Sequence, residues 1–215
     1  MRRGRRVYYD KFSRFYDRFV ALHSRDKEGL ARKFLVDQIP VQNAGSVLEL
    51  CTGTGTILTH MQAKVGPDGQ VVGLDFSHGM LKVAQDKTKS LANIRLVEAD
   101  AGCLPFANGA FDVVTCSHAF YELKGDTQDQ ALQEIVRVLK PRGSFLMMEH
   151  DVPASPFVRA LFYLRLTFIG AGRAVAFLRR EQEVLQRHFS SVEKVVAPAG
   201  RSKVMICRRR RVART

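Results

Sequence analysis

Two acidic residues, Glu49 and Asp75, stand in or at the end of short apolar runs. Glu49 belongs to Leu48-Glu49-Leu50-Cys51-Thr52-Gly53-Thr54-Gly55, and Asp75 closes Val71-Val72-Gly73-Leu74-Asp75. A strand that breaks into a glycine turn lets the backbone approach a ligand, and an acid after the next strand can hold ribose hydroxyls. The pair therefore describes a nucleoside crevice at the edge of an open sheet. Two phosphate chemistries are disfavoured. A triphosphate loop needs a lysine after its last glycine, and here Thr56 follows Gly55. A dinucleotide turn needs a small residue three places after its second glycine, and that place is Leu58, which would hold the helix off the strand.

The elements that must carry these residues alternate along the chain. Strands are predicted at 46–50, 70–74, 94–98, 111–116 and 144–149. Helices are predicted at 56–64, 78–90 with Ser77 as its cap, and 126–139, where Ala131, Leu132, Ile135, Val136 and Leu139 recur at helical spacing. Gly66-Pro67-Asp68-Gly69, Asn108-Gly109 and Lys140-Pro141-Arg142-Gly143 read as turns. This order predicts a mostly parallel sheet covered on both faces. Before it, residues 7–38 read as a short helix and a second one from Asp26 to Ile39. After it come a helix at 181–188 and a closing pair of strands at 192–197 and 203–207. With no repeat or low-complexity linker, one domain over 1–215 is expected.

The chain has 215 residues, enough for a full core, and 46% of them are apolar, which disfavours general disorder. Cys51, Cys103, Cys116 and Cys207 are scattered and form no zinc spacing, so no metal is expected. No apolar run is long enough to span a bilayer, and the basic start lacks the apolar stretch of a signal peptide. A cytoplasmic protein is the expectation. The net charge of +13 concentrates in the first six residues, in Arg159–Arg180 and in Arg208–Arg214. Such a surface attracts nucleic acid, acidic lipid or nothing specific.

The ordered motif set resembles the class I S-adenosylmethionine-dependent methyltransferases, and more narrowly the branch that methylates quinone precursors in ubiquinone and menaquinone synthesis. The resemblance rests on Val47–Gly55, Gly73-Leu74-Asp75-Phe76-Ser77 with Met80-Leu81, Asp100-Ala101, Leu104-Pro105-Phe106, Phe111-Asp112-Val113-Val114 and Leu139–Gly143. It extends to a paired aromatic-Asp signature, Tyr9-Asp10 and Tyr16-Asp17. It implies a Rossmann-like α/β fold, a seven-stranded, mostly parallel sheet flanked by helices with an antiparallel final strand, and S-adenosylmethionine as cofactor. Glu49 is then expected near the cofactor ammonium, directly or through water. Gly53 and Gly55 keep the turn open, with Cys51 where the superfamily often has glycine. Asp75 meets both ribose hydroxyls, Phe76 and Met80 flank the adenine, and Asp100 with the Ala101 backbone meets its amino edge. Ser117 lies at the methionine end, and Tyr9 and Tyr16 close over the site from an N-terminal lid at 1–40. Capping or turn-forming roles for Glu49, Asp75 and Asp100, packing roles for the tyrosines, and a structural role for Asp112 stay open.

Methyl transfer from a sulfonium needs orientation and, for some acceptors, removal of a proton. His118, Tyr121, Glu122 and His150 follow the fourth and fifth strands, at the right end of the sheet, and are the candidates for base or orienter. Residues 152–190 are expected to cover the acceptor. Within them, Pro156–Ile169 is rich in Phe and Leu and interrupted by Arg159 and Arg165. A basic, apolar helix over 156–180 suits an anionic membrane surface and a small lipophilic acceptor such as a quinone precursor, with the protein peripheral on the inner face. A phospholipid-amine acceptor, or a nucleic-acid or protein acceptor, is the alternative. Cys116-Ser117-His118-Ala119-Phe120-Tyr121 lacks the motif of base-amine methyltransferases, which disfavours nucleic acid.

Overall fold

The computed structural model describes residues 2–23, 29–41, 44–123, 126–152, 155–168, 172–198 and 202–209. A long helix α1 (Arg2–His23) and a short α2 (Leu30–Asp37) precede the alternating core: β1 (Ser46–Leu50), α3 (Thr56–Val65), β2 (Gln70–Asp75), α4 (His78–Thr88), β3 (Ile94–Glu98), β4 (Phe111–Ser117), α5 (Asp126–Val138) and β5 (Leu139–His150). A single turn of 3₁₀ helix, Phe120–Glu122, leads from β4 toward α5. The chain closes with α6 (Pro156–Phe168), α7 (Gly172–His188), β6 (Ser191–Val196) and β7 (Ser202–Arg208).

The seven strands form one sheet in the order β3-β2-β1-β4-β5-β7-β6. β7 runs antiparallel to both β5 and β6, and the other pairings are parallel. The expected Rossmann-like sheet with an antiparallel final strand is thus what the chain forms. Neighbouring residues of the central strands serve opposite faces. Val47, Val113, Leu146 and Ile206 pack with Leu35, Val36, Leu58, Met61 and Val65 from α2 and α3. Leu48, Val114, Met147 and Met205 pack with Leu132, Ile135, Val138, Leu185 and Phe189 from α5, α7 and the residue after it. Strands buried on both faces read as continuous apolar runs, which is why they were visible in the sequence. Leu58 is fully buried, with its Cδ1 against Gly73, so it fills the space between α3 and β2 that a dinucleotide turn leaves empty.

Several boundaries differ from expectation. The first helix is much longer than the sequence suggested. The second begins at Leu30, and its predicted start at Asp26 lies outside the described residues. Lys140-Pro141-Arg142-Gly143, read as a turn, belongs to β5. Leu139 pairs with Phe111, and a register shift between Phe111 and Val113 absorbs the irregularity. α7 starts at Gly172 rather than Glu181, because Val175, Phe177 and Leu178 bury against the core. The predicted end of the apolar segment at Ile169 and the arginine tail beyond Arg209 lie outside the described residues, as do the side chains of Arg165 and Arg173.

β1 is flanked by β2 and β4, so the chain runs outward in both directions from this point. Crossovers leave on opposite faces there, and the carboxyl ends of β1 and β4 open a crevice. At the other end of these strands Asp112 ties them together. Its Oδ2 accepts from the Ser46 N–H at 2.9 Å, the Ser46 hydroxyl at 2.8 Å and Lys140 Nζ at 2.8 Å. Burial alone would raise its pKa, but Lys140 and Ser46 together hold it below the usual value. Asp112→Ala is expected to cost about 2 kcal/mol in denaturant unfolding and to leave cofactor affinity unchanged, because it lies at the far end of the sheet.

Candidate active site

The carboxyl ends of β1, β2 and β4 carry the candidate residues into one cleft of about 660 Å³. Its lining includes Tyr9, Tyr16, Cys51, Gly53, Asp75, Phe76, Met80, Asp100, Ala101, Ser117, His118 and Glu122. Four candidates fall outside the lining: Glu49, Gly55, Tyr121 and His150. The cleft also takes Arg6, Leu74, Glu98, Ala99, Ala119, Leu123 and Thr127, which sequence reasoning did not single out.

Asp75 is the pivot of the cleft. Its Oδ2 accepts from the Gly53 N–H at 2.8 Å and its Oδ1 from the Ser77 N–H at 2.9 Å. One carboxyl thereby joins the turn after β1 to the start of α4, where the Ser77 hydroxyl caps the helix by accepting from the Met80 N–H. Burial lifts the pKa of Asp75 to about 6 against the pull of these N–H donors. Gly55 serves the same junction from behind: at φ +73° it lies against α4, where a Cβ would come within 2.7 Å of the Ala84 Cβ. Cys51 and His118 are non-glycine residues at φ +55° and +50°, a conformation that costs about 1 kcal/mol or more outside glycine. They stand directly after β1 and β4, and both face the cleft.

Glu49 lies beneath the cleft rather than in it. Its carboxyl accepts from the Thr115 hydroxyl on β4 and draws on the Ser117 N–H, and burial raises its pKa to about 8. Asp100 lines the cleft and also holds its own turn, its Oδ1 accepting from the Gly102 N–H at 2.9 Å.

Beyond β4, Glu122 Oε2 accepts from the Tyr9 hydroxyl at 2.5 Å, bridging the 3₁₀ turn to α1. His118 lies against His150, with ring centroids 4.7 Å apart and planes tilted by 39°, and its Nε2 faces the Ser202 hydroxyl at 3.4 Å. Its Nδ1 is buried with no hydrogen-bond partner among the described residues. Burial first, then His150 and Arg32, lower its pKa to about 3, so the ring is neutral at physiological pH and only weakly basic. Tyr121 packs against the core instead of the cleft, and burial raises its pKa. The turn 118–122 hangs on Glu149, fully buried on β5, whose Oε1 accepts from the Phe120 N–H at 3.1 Å. Burial also raises Glu149 well above the carboxylate range.

The aromatic-Asp pairs divide their labour. Tyr9 and Tyr16, seven residues apart, turn into the cleft. Asp10 and Asp17 fasten the same helix to its rim. Asp10 Oδ1 accepts from the Ser77 hydroxyl at 2.6 Å and the Gly79 N–H at 2.9 Å, and a Cβ on Gly79 would meet the Asp10 backbone at 2.6 Å. Asp17 accepts from the Thr54 hydroxyl at 2.6 Å and pairs with Lys87 at 2.6 Å. The aspartates were not singled out for this, although their heptad spacing beside the tyrosines was the available signal. After β5, α6 exposes Phe157, Val158, Leu161 and Leu164, but Arg159 lines a groove against α7 with Pro156, Ala160 and Tyr163. The apolar stripe and Arg159 are therefore on different sides of α6.

A seven-stranded sheet with an antiparallel last strand, a glycine turn after β1 and an acid after β2 at one cleft defines a Rossmann-like S-adenosylmethionine-dependent methyltransferase. Solved structures share the fold: a SAM-dependent methyltransferase from Aquifex aeolicus superposes with a TM-score of 0.68 at 17% identity, over 85% of this chain and 93% of that one. A putative S-adenosyl-L-methionine-dependent methyltransferase from Methanococcus maripaludis gives 0.69 at 15% identity, over 95% of each chain. The chain belongs to the ubiE/COQ5 methyltransferase family, whose pattern it matches over residues 3–194. Among its relatives, the demethylmenaquinone methyltransferase of Staphylococcus carnosus (strain TM300) is 34% identical over 181 residues, covering 83% of this chain and 74% of that protein. That of Staphylococcus epidermidis (strain ATCC 35984) is 35% identical over the same shares. The cofactor is S-adenosylmethionine. The cleft fits it in polarity as well as size, with apolar Leu74, Phe76, Met80 and Ala99 interspersed with Asp75 and Asp100.

Two outcomes follow from these contacts. Asp10→Ala is expected to weaken the hold on α1 by about 2 kcal/mol, read as roughly thirtyfold faster amide exchange in α1 with strand amides unchanged. The second concerns pH. Glu49, Asp75 and Glu149 have raised values in the folded protein, so the stability each contributes is complete below the ordinary carboxylate range and is lost as pH climbs through the raised value. His118 acts oppositely, but only below its ordinary range near 6.5. Denaturant unfolding should therefore show the protein losing about 1 kcal/mol of stability or more between about pH 7 and 8, and Glu49→Gln should flatten that slope.

Proposed function

We propose that the chain transfers the methyl group of S-adenosylmethionine to a ring carbon of a small lipophilic quinone precursor in its hydroquinone form. The observation that carries this reading is the similarity, at 34–35% identity over most of the chain, to proteins named demethylmenaquinone methyltransferase. The acceptor end of the cleft supports it, since a phenol ring gains nucleophilicity when its hydroxyl loses a proton, and Glu122 and His118 stand there.

In this reading S-adenosylmethionine supplies the activated methyl carbon, and the chain orients the partners and moves a proton. Asp75 accepts the ribose hydroxyls with the lone pairs its two N–H contacts leave. Phe76 and Met80 flank the adenine, with Asp100 and the Ala101 backbone at its amino edge. Gly53, Cys51 and Ser117 form the floor at the methionine end, and Glu49 supports the cofactor ammonium from beneath, through Ser117 or water. Tyr9 and Tyr16 close the cleft from α1. The Glu122 carboxyl, fixed by Tyr9, takes the phenol proton and returns it to the oxygen once the methylated ring carbon has lost its own hydrogen to solvent as a proton. His118, neutral and with an unpartnered Nδ1, orients an acceptor oxygen. Gly55, Tyr121 and His150 shape the surrounding turns without touching the ligands. The chain is read as a single domain over 1–215, with residues 1–40 as lid and 152–190 over the acceptor.

We read the enzyme as peripheral at the inner face of an anionic membrane, where a lipophilic acceptor resides. The net charge of +13 supports this. No described helix is long and apolar enough to cross a membrane.

Asp75→Ala should weaken S-adenosylmethionine binding at least about tenfold by calorimetry, since it removes charged hydrogen bonds to the ligand and the link between the turn and α4. The function itself is tested by offering labelled S-adenosylmethionine with quinone precursors, phospholipids and RNA. Label on a ring carbon of the reduced quinone precursor is expected, and transfer only to a lipid amine or to RNA would overturn the reading.

A further inference from the structure

Among the described side chains, exposed apolar groups and cations without a carboxylate partner come together on the back of α1. With about 100° per residue, Val7, Tyr8, Lys11, Arg14, Phe15 and Arg18 fall within an arc of about 120° on the outer face of this helix. All six are exposed, Tyr8 at 58% and Phe15 at 62%. Lys11, Arg14 and Arg18 have no carboxylate partner among the described residues, and the arc contains no acid. The acids of this helix, Asp10 and Asp17, lie on its flank and are occupied by Ser77, Gly79, Thr54 and Lys87. The clasp that fastens α1 to the cleft thus also removes negative charge from its outer side. The inner face of the same helix carries Tyr9 and Tyr16 into the cleft.

We propose that the outer face of α1 docks on a bilayer carrying anionic phospholipid and so brings the mouth of the cofactor cleft to the membrane. The inference rests on the reading that the acceptor is lipophilic and membrane-borne. An amphipathic helix lying in the plane of a bilayer buries aromatic and aliphatic side chains at the headgroup level while Lys and Arg reach lipid phosphates. Tyr8 and Phe15 lie together near one edge of the arc, with Val7, Lys11, Arg14 and Arg18 filling the rest. Bases can also stack on exposed aromatic rings, but a lipophilic acceptor resides in a bilayer, so a membrane is the occupant this face serves. On α6 the described cation, Arg159, faces the groove with α7 instead of the apolar stripe. A membrane against α1 lies about one helix diameter, roughly 10 Å, from the cleft that Tyr9 and Tyr16 line, a short path for an acceptor leaving the bilayer.

The test is co-sedimentation of the full chain with vesicles of phosphatidylcholine alone and of phosphatidylcholine mixed with phosphatidylglycerol. The wild-type protein should prefer the anionic vesicles. Lys11→Gln with Arg14→Gln should weaken that binding about thirtyfold, at about 1 kcal/mol per basic residue near an anionic surface. Tyr8→Ser with Phe15→Ser should weaken binding to the same vesicles, and both pairs should keep wild-type affinity for S-adenosylmethionine, since none of these side chains faces the cleft. Vesicles should also shield α1 from trypsin at Lys11, Arg14 and Arg18. Equal sedimentation with both vesicle types, undiminished binding by the α1 variants, loss only on Leu161→Ser with Leu164→Ser in α6, or displacement of the vesicles by RNA would each overturn the proposal. Methyl transfer to a water-soluble, short-tailed hydroquinone separates the two readings. If it persists while docking fails, only the docking surface is wrong. If it is absent from the wild type, the acceptor assignment fails whatever the vesicles show.

Discussion

One carboxyl holds the functional end of this molecule together. Asp75, at the tip of β2, accepts N–H groups from Gly53 in the turn after β1 and from Ser77 at the start of α4. Those contacts set the distance between the two segments that must surround a nucleoside. The turn can come that close because Gly55 lies flush against Ala84 of α4. The same start of α4 then receives Asp10, through Ser77 and Gly79, and with it the whole of α1. Cofactor cleft, α4 and α1 are therefore one hydrogen-bonded unit, with the buried carboxyl at its centre.

The strength of this arrangement comes with an electrostatic cost. Asp75, Glu49 and Glu149 are buried at or behind the cleft, and burial favours their protonated forms. A site that retains such groups is suited to a ligand that brings donors or positive charge, and S-adenosylmethionine brings both ribose hydroxyls and a cationic end. The imidazole of His118 is affected in the opposite sense: burial keeps it neutral and leaves its Nδ1 without a partner. Near the end of β4 the cleft therefore presents a neutral ring and the Glu122 carboxyl.

Much of the fold was legible because sheet burial leaves a strong imprint on sequence. β1, β2, β4 and β5 are covered on both faces, so each reads as an apolar run. The turn residues Gly66-Pro67-Asp68-Gly69 and Asn108-Gly109 mark their limits. Leu139–Gly143 misled, since its proline and glycine look like a stop, whereas pairing of Leu139 with Phe111 draws the segment into β5. The first half of α7 was missed because its apolar positions gain meaning only against the core that Phe177 and Leu178 meet. Within the site, Asp75 and His118 were readable from their places after strands, and Asp100 and Ser117 from the family resemblance; all four reach the cleft. Glu49, Tyr121 and His150 were placed there too, but their side chains point elsewhere, and strand position alone does not say which way a side chain at a strand end leaves the sheet.

The sequence by itself determined the class of fold, the family and the chemistry, because those depend on local patterns: apolar runs, a glycine turn, and acids at fixed distances after strands. The tertiary structure decided which groups share a space. It put Asp10 on the cap of α4, Glu49 beneath the floor and Arg159 away from the apolar stripe of α6, and it left the outer face of α1 basic and apolar. These are relations between segments far apart in the chain. They arise only when packing of the helices against the sheet fixes which face of each helix turns inward.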